Sequence, residues 1–211
     1  MPKKTITLGV MASGRGSNLQ SILDAIAAGR LDAQVALVIS DREDAAALDR
    51  ARAAGVPARY LNPKAFPNRE AHDVAAADLL RGAGVELVAL AGYMRLITRA
   101  LLEAFPDRII NVHPSLLPAF PGLHAQRQAV DYGVKLAGCT IHFVTEGLDN
   151  GAIILQAAVP VRDDDTEAVL AERILAEEHR LLPEALQLYA EGRLSLDGRR
   201  VRIAPPASVV L

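Results

Sequence analysis

Asn111 and His113 are the residues of this chain best suited to chemistry, because they end an apolar run and stand just before a proline. In an extended segment residues i and i+2 point to the same side, so both side chains can face one space while Val112 faces the packing. Pro114 favours extended geometry at His113 and removes a backbone donor. The pattern predicts a buried strand that presents an amide and an imidazole to a rigid loop. A structural histidine capping a strand end is the alternative.

Asp149 is a third polar residue that could act with this pair. A neutral amine that attacks a carbonyl builds a tetrahedral oxyanion, to which Asn111 and a protonated His113 could donate hydrogen bonds. An aspartate beside the imidazole would favour its charged form and accept the amine's proton, directly or through water. The predicted chemistry is acyl transfer to an external nucleophile. In the alternative, Asp149 only forms the common Asp-Asn-Gly bend.

Two further residues, Thr140 and His142, are possible helpers. They lie on one face of a predicted strand over residues 136–144, and that face meets either the same cleft or the core. Cys139 is the only cysteine, which excludes an internal disulfide and a cysteine-ligated zinc or iron–sulfur site. We therefore expect no metal.

A glycine-rich turn, Ser13-Gly14-Arg15-Gly16-Ser17-Asn18, follows the first predicted strand and opens a helix over residues 19–28. Such a turn is suited to phosphate, because backbone N–H groups and the helix dipole point at the anion. It lacks the Gly-Lys-Ser/Thr of a P-loop, and Leu19 stands where a dinucleotide fingerprint has its third glycine. The turn favours a small monophosphate, with Arg15, Ser17 and Asn18 as added donors. A plain tight turn is the alternative.

A second loop, Gly92 to Ile97, follows the strand predicted over residues 85–91. It offers an aromatic ring, a thioether, a guanidinium and aliphatic bulk. These groups suit a flat, partly polar ligand.

The strands that must position these loops read as continuous apolar runs separated by helical segments, which is typical of a parallel sheet covered on both faces. We predict an α/β fold with an open, mostly parallel Rossmann-like sheet. Residues 136–144 and 153–160 add an antiparallel pair at its far side, and Asp197-Gly198 indicates a C-terminal hairpin. In open parallel sheets ligands bind beyond the carboxyl ends of the strands, where these loops lie.

Size and composition fit one α/β domain of a soluble globular protein. The 211 residues are 51% hydrophobic, and the net charge of −2 gives no reason to expect nucleic acid or a membrane as a partner. The N-terminal apolar run over residues 5–11 is too short to span a membrane and reads as a strand. We predict a single domain over 1–211, with a core over about 5–191 and a hairpin appendage over about 192–211. The lone cysteine favours the cytoplasm.

Four motifs together resemble one family, the folate-dependent phosphoribosylglycinamide formyltransferases. They are Gly14-Arg15-Gly16-Ser17-Asn18-Leu19-Gln20, Ala91-Gly92-Tyr93-Met94-Arg95, Asn111-Val112-His113-Pro114-Ser115-Leu116-Leu117-Pro118-Ala119-Phe120-Pro121-Gly122, and His142-Phe143-Val144 with Leu148-Asp149-Asn150-Gly151. The resemblance covers about residues 5–191. It implies transfer of the formyl group of 10-formyltetrahydrofolate, the co-substrate, to the amino group of glycinamide ribonucleotide in purine synthesis.

The resemblance also implies roles for individual residues. Asn111, His113 and Asp149 would be catalytic. Nucleotide contacts would come from Gly16, Ser17 and Asn18 at the phosphate, beside Arg15, and from Arg69 and Glu178, the latter at ribose hydroxyls. The folate cleft would be formed by Met94, Arg95, Leu96, Ile97 and Asn111, with Thr145, Glu146, Gly147 and Leu148. The implied partners are these small molecules only, for a monomer or homodimer.

Several alternatives remain within and outside this family. Gln126 is a departure, since the family carries a second histidine after His124. A methionyl-tRNA formyltransferase would need a basic RNA-binding domain, and a formyltetrahydrofolate deformylase, which uses water as acceptor, typically has a further domain before the first strand. A non-catalytic folate or nucleotide binder would have no need for Asn111, His113 and Asp149 together.

Overall fold

A nine-stranded sheet forms the centre of the computed structural model, which describes residues 5–206. The strands are β1 Ile6–Met11, β2 Ala33–Ser40, β3 Ala58–Tyr60, β4 Leu87–Leu90, β5 Ile109–His113, β6 Leu136–Phe143, β7 Ile153–Pro160, β8 Leu194–Asp197 and β9 Arg200–Ile203. Residues 1–4 and 207–211, the two ends of the predicted domain, lie outside the described part.

The strand order across the sheet is β3-β2-β1-β4-β5-β6-β7-β9-β8. β3, β2, β1, β4 and β5 are parallel, and β6 runs antiparallel to both β5 and β7. The open, mostly parallel sheet and the antiparallel pair at its far side are therefore confirmed. The predicted C-terminal hairpin also forms, but it is more than an appendage, because β9 pairs with β7 through Ile153 and Arg200. An unpaired strand edge favours such an addition.

Six α-helices within residues 5–206 cover the sheet: α1 Ser17–Ala27, α2 Ala46–Ala53, α3 Arg69–Gly82, α4 Arg99–Ala104, α5 Ala125–Tyr132 and α6 Glu167–Ala190. Side chains of α1, α2, α5 and α6 pack in one apolar layer, and those of α3 and α4 pack in the other. Both faces are thus covered, as the continuous apolar strands require. α6 continues through Pro183, where the sequence suggests a kink.

Only some of the helices have an N-cap residue whose side chain accepts a hydrogen bond from the first turn. Asn68 Oδ1 accepts from Ala71 N at 2.8 Å, and Thr166 Oγ1 accepts from Val169 N at 3.3 Å, as expected of N-caps. Thr98 precedes α4 but makes no side-chain cap. The backbone N–H of Thr98, at the start of α4, instead donates to Asp73 Oδ2 on α3 at 2.6 Å.

Candidate active site

The candidate site lies beyond the carboxyl ends of β1, β4 and β5, where the sheet changes from parallel to antiparallel pairing. β5 supplies Asn111 and His113 to this end, and Val112 faces the apolar layer on the other side. In the register with β6, Asn111 lies opposite His142 and His113 lies opposite Thr140. The alternation predicted from the spacing is therefore present in the strand.

His113 is buried, with 4% of its surface exposed, and both of its ring nitrogens face oxygen atoms. Nε2 is 2.9 Å from the backbone oxygen of Phe120, and Nδ1 is 3.3 Å from Asp149 Oδ2. A backbone carbonyl can only accept, so Nε2 carries a proton and fixes the ring orientation. Nδ1 is then the nitrogen that faces the carboxylate, and a proton on it makes the ring an imidazolium paired with Asp149.

Asp149 joins this pair from the turn between β6 and β7, at a positive φ of 46°. Its Oδ2 also accepts from Gly122 N at 2.8 Å, so one carboxylate oxygen contacts both His113 and the loop that follows β5. The structure thus brings Asn111, His113 and Asp149 to one place. Asp149 is more than a turn residue, because its side chain crosses to another loop.

His142 is the group that orients Asn111. His142 Nδ1 lies 2.8 Å from its acceptor, Phe143 O, so Nε2 is the nitrogen that accepts from Asn111 Nδ2 at 3.1 Å. Burial lowers the pKa of His142, against the raising effects of the Phe143 hydrogen bond and the Asp149 charge, and this favours the neutral ring. The second Asn111 amide hydrogen is left for another acceptor.

Thr140, the other possible helper, supports the loop rather than the reacting groups. Its hydroxyl is fully buried, donates to Ser115 O at 2.6 Å, and accepts from Leu117 N at 3.0 Å and from Gln156 Nε2 at 2.9 Å. The sequence left open whether this face of β6 lies at the cleft or in the core. The side chain of His142 lies at the cleft, beside Asn111, and that of Thr140 is buried under the loop. Gln156 also donates to Leu117 O at 3.0 Å.

Thr140→Val is expected to lower the free energy of unfolding by roughly 3 kcal/mol, because Leu117 N–H and Ser115 O lose their partner in a buried place. Urea unfolding of the purified variant measures this. Thr140→Ser keeps the hydroxyl and is the matched control, with an expected loss of about 1 kcal/mol for one methyl group. Equal losses in the two variants would contradict the assigned role of the hydroxyl.

The glycine-rich turn forms a tight cradle at the start of α1. Gly16 has a φ of 70°, and a Cβ on it would lie 2.6 Å from Ala47 Cα, so only glycine fits there. Asn18 is 7% exposed and donates from Nδ2 to Glu178 Oε2 at 2.7 Å, while its buried Oδ1 has no hydrogen-bond partner among residues 5–206. A buried amide oxygen without a partner suits a ligand donor.

Arg15 and Glu178 complete this end of the site. Burial raises the pKa of Glu178, against the lowering effects of the Asn18 hydrogen bond and the Arg15 charge. Arg15 is itself exposed. Ser17, at the first position of α1, is half-buried beside them. The predicted phosphate residues therefore lie together with Glu178 from the last long helix.

The segment over residues 92–98, called the cleft segment below, is apolar at its surface. Met94 and Leu96 are 60% and 52% exposed, and Arg95 and Ile97 are half-buried. Ser13 Oγ accepts from Met94 N at 2.9 Å, which ties the segment to the end of β1. On the loop after β6, Leu148 is 48% exposed and Thr145, Glu146 and Gly147 are exposed. Exposed apolar side chains on two loops near the polar groups of the site suit a flat, partly polar ligand.

Three polar residues on α3 and α5 lie outside these contacts. Arg69 is exposed at the first position of α3 and makes no hydrogen bond to Gly16, Asn18 or Glu178 in the described chain. His72, one turn along α3 from Arg69, is fully buried. Gln126 is half-buried on α5.

Sequence reasoning missed the groups that hold the site in place. The Phe120 carbonyl, the Ser13 hydroxyl, Gln156 and Asp73 make site-supporting contacts over sequence separations of 7 to 81 residues. Every residue has a backbone oxygen, so residue types cannot show which of these oxygens contacts the site. Among residues 5–206, no group of three or more His, Cys, Asp or Glu side chains is arranged to hold a metal, and no helix there is long and apolar enough to cross a membrane.

Comparison with known proteins gives matches over nearly the whole chain. A sequence profile described as formyl transferase matches residues 7–186. The phosphoribosylglycinamide formyltransferase of Escherichia coli (strain K12) is 41% identical over 199 residues, covering 91% of this chain and 94% of that protein. The solved structure of glycinamide ribonucleotide transformylase 1 from Symbiobacterium toebii has 61% identity and a TM-score of 0.95, covering 96% of this chain and 95% of that one.

Other relatives are much longer than this chain. The trifunctional purine biosynthetic protein adenosine-3 of Drosophila pseudoobscura pseudoobscura is 46% identical over 195 residues, which are 92% of this chain and 14% of that protein. The chain spans between 14% and 20% of the length of four such trifunctional relatives.

Proposed function

The chain belongs to the formyl transferase family, and from this membership we propose that it transfers the formyl group of 10-formyltetrahydrofolate to the amino group of glycinamide ribonucleotide. The single observation that carries the proposal is the contact of His113 Nδ1 with Asp149 Oδ2, at 3.3 Å, beside the Asn111 amide. The protonated His113, the Asn111 amide and the Asp149 carboxylate then place a positive charge, a neutral donor and a proton acceptor together.

The proposed reaction needs no other group. The glycinamide nitrogen attacks the formyl carbon, and the oxyanion receives a hydrogen bond from Asn111 Nδ2 and is stabilised by the positive charge of the protonated His113, whose Nδ1 faces Asp149. Asp149 stabilises the imidazolium and accepts the proton of the attacking amine. The bond from the formyl carbon to folate N10 then breaks, and N10 gains one proton. In balance, one C–N bond forms, one C–N bond breaks, and one proton moves from the amine to N10.

The nucleotide would bind at the start of α1. Backbone N–H groups of Ser17 and Asn18 point along the helix axis toward an anion, and Gly16 leaves room for it. Arg15 and Arg69 supply positive charge, and Glu178 Oε1 accepts from ribose hydroxyls. The buried, unpartnered Asn18 Oδ1 supports this assignment.

The folate would lie along the cleft segment. Met94 and Leu96 contact its ring system, Arg95 and Ile97 flank it, and Asn111 reaches its formyl group. The opposite wall is formed by Thr145, Glu146, Gly147 and Leu148. The exposed apolar side chains of both walls support this assignment.

The proposal also covers the domain organisation, the location and the partners of the enzyme. Residues 1–211 form one formyltransferase domain with its core over 5–191. It acts in the cytoplasm on small molecules, as a monomer or homodimer.

The direct test follows the absorbance of 10-formyltetrahydrofolate mixed with the purified protein, with and without glycinamide ribonucleotide. We expect tetrahydrofolate to appear only when the nucleotide is present. Release without the nucleotide would show a hydrolase that uses water as acceptor. No reaction in either mixture would favour a non-catalytic binder or a different acceptor amine.

Glu178→Gln is expected to raise the KM for the nucleotide about tenfold, because a carboxylate acceptor for ribose hydroxyls becomes a neutral amide. The KM for folate should not change. Steady-state kinetics with each substrate varied in turn measures both. Glu177→Gln is the matched control, since Glu177 is paired with Arg180 at 2.7 Å instead of with Asn18. Equal effects in the two variants would contradict the role of Glu178.

The same variant has a pH signature in stability. Because burial raises the pKa of Glu178, the folded state binds this proton more tightly than the unfolded state. The stabilisation is full below the unfolded pKa, near 4.3, and is lost as the pH rises through the folded pKa. Glu178→Gln should therefore unfold at a higher temperature than the wild type at pH 7, with the difference shrinking toward pH 4. Thermal unfolding at both pH values measures it.

A further inference from the structure

The cleft segment is held by hydrogen bonds at both of its ends. At the first end, Ser13 N donates to Gly92 O at 3.0 Å and Met94 N donates to Ser13 Oγ at 2.9 Å. At the second end, Thr98 N donates to Asp73 Oδ2 at 2.6 Å. The exposed side chains of Met94 and Leu96 lie between these two anchors. Their position therefore depends on both.

The second anchor is built from buried charged and polar groups. Asp73 is 2% exposed on α3, and its Oδ1 lies 3.2 Å from Nδ1 of His72, which is fully buried. His72 Nε2 lies 3.2 Å from Leu61 O. Each ring nitrogen thus faces an oxygen that only accepts, so both contacts are satisfied when the imidazole carries a proton on each nitrogen. The ring also packs edge-on against Phe66, with centroids 5.3 Å apart.

This arrangement fixes the orientation of the carboxylate. The carboxylate has one oxygen on His72 and the other directed at a single backbone N–H, and hydrogen bonds to a charged acceptor are short. The bond satisfies the backbone N–H of Thr98, the residue that precedes α4, and so links the start of α4 to α3. Asp73 forms no hydrogen bond with Gly16, Asn18 or Glu178 within the described residues. The hydrogen bonds of Asp73 therefore lie on the folate side of the site, while Asn18 and Glu178 are held by their own contact.

We propose that Asp73, oriented by His72, is a positioning residue for the folate substrate, because it holds the second end of the cleft segment while Met94 and Leu96 remain exposed. This inference rests on the proposed function. Exposed apolar side chains on an unanchored segment would pack against the protein, and a displacement of about 1 Å is enough to weaken binding. The nucleotide side keeps its own contacts.

The test is a comparison of steady-state constants in wild type, Asp73→Ala and Asp73→Asn. Asp73→Ala leaves Thr98 N–H without an acceptor, and we expect the KM for 10-formyltetrahydrofolate to rise about tenfold, with the KM for the nucleotide and kcat within about twofold. Asp73→Asn keeps an oxygen for Thr98 and an N–H for His72. It should restore the folate KM to within about threefold of wild type.

Two further variants separate positioning from simple loss of stability. Leu80→Ala removes a fully buried side chain from the same helix without touching the anchor, so it should lower thermal stability and leave both KM values unchanged. His72→Phe keeps a ring against Phe66 but removes the contact with Asp73, and we expect a folate KM about threefold above wild type. It remains informative if Asp73→Ala does not fold.

The outcomes distinguish this inference from the proposed function. Equal rises in both KM values, or no rise in Asp73→Ala, would overturn the positioning role in an enzyme that still transfers formyl groups. If the wild type transfers none, the proposed function fails. Calorimetry with tetrahydrofolate then tests the anchor without turnover, and a wild-type Kd in Asp73→Ala would overturn it.

Discussion

Asp149→Asn is expected to lower kcat by about a thousandfold, with both KM values changed by less than about threefold. The amide still has an oxygen for Gly122 N–H, so the loop is retained. It cannot carry the negative charge that stabilises a protonated His113 at 3.3 Å, nor accept a proton from the attacking amine. The loss therefore falls on the transition state and not on ground-state binding. Initial rates at saturating substrates measure it.

The matched control for this change is Asp131→Asn, which removes the same charge from an exposed position on α5. Its kcat should equal that of the wild type. A turnover rate within about twofold of wild type in Asp149→Asn would show that the carboxylate takes no part in proton transfer. Circular dichroism of both variants establishes that the fold is retained.

The second large effect is expected for Asn111→Ala, with kcat lowered by about a hundredfold to a thousandfold. The variant removes the neutral donor to the oxyanion and leaves His142 Nε2 without its partner. Since His142 donates through Nδ1 to Phe143 O, its ring should stay in place. The KM for folate should rise only modestly. Rates at saturating substrate, with single-turnover mixing to separate chemistry from product release, measure the effect.

The double variant Asn111→Ala with Asp149→Asn tests whether the two groups serve one step. If both stabilise the same transition state, the combined loss will be smaller than the product of the single losses. Losses that multiply fully would place the two residues in independent steps and would contradict the proposed mechanism.

Local patterns in the sequence predicted those parts of the site that depend on local geometry. The alternation along β5 is a property of any strand, so Asn111 and His113 on one side with Val112 on the other followed directly. The continuous apolar runs likewise predicted a sheet buried on both faces, which the structure confirms. The cradle at Gly16 belongs to the same class, since a glycine-rich turn between strand and helix is a local signal.

Contacts between distant elements could not be predicted in this way. The approach of Asp149 to His113 depends on the pairing of β5 with β6 and on the turn after β6, neither of which the spacing determines. The pattern placed Thr140 and His142 on one face but gave no sign that they have different roles. Asp73 stands in an ordinary helical segment, and only its burial and its bond to Thr98 distinguish it.

The hydrogen bond between Asn18 and Glu178 joins residues 160 positions apart. During synthesis the chain emerges from its first residue onward, so the glycine-rich turn and the parallel strands can form while α6 has not yet been made. Until α6 packs against α1, the Asn18 amide has no carboxylate to contact, and the proposed nucleotide site is incomplete. A nascent chain that stops short of residue 178 would lack the Glu178 carboxylate even though β5, with Asn111 and His113, has already been made.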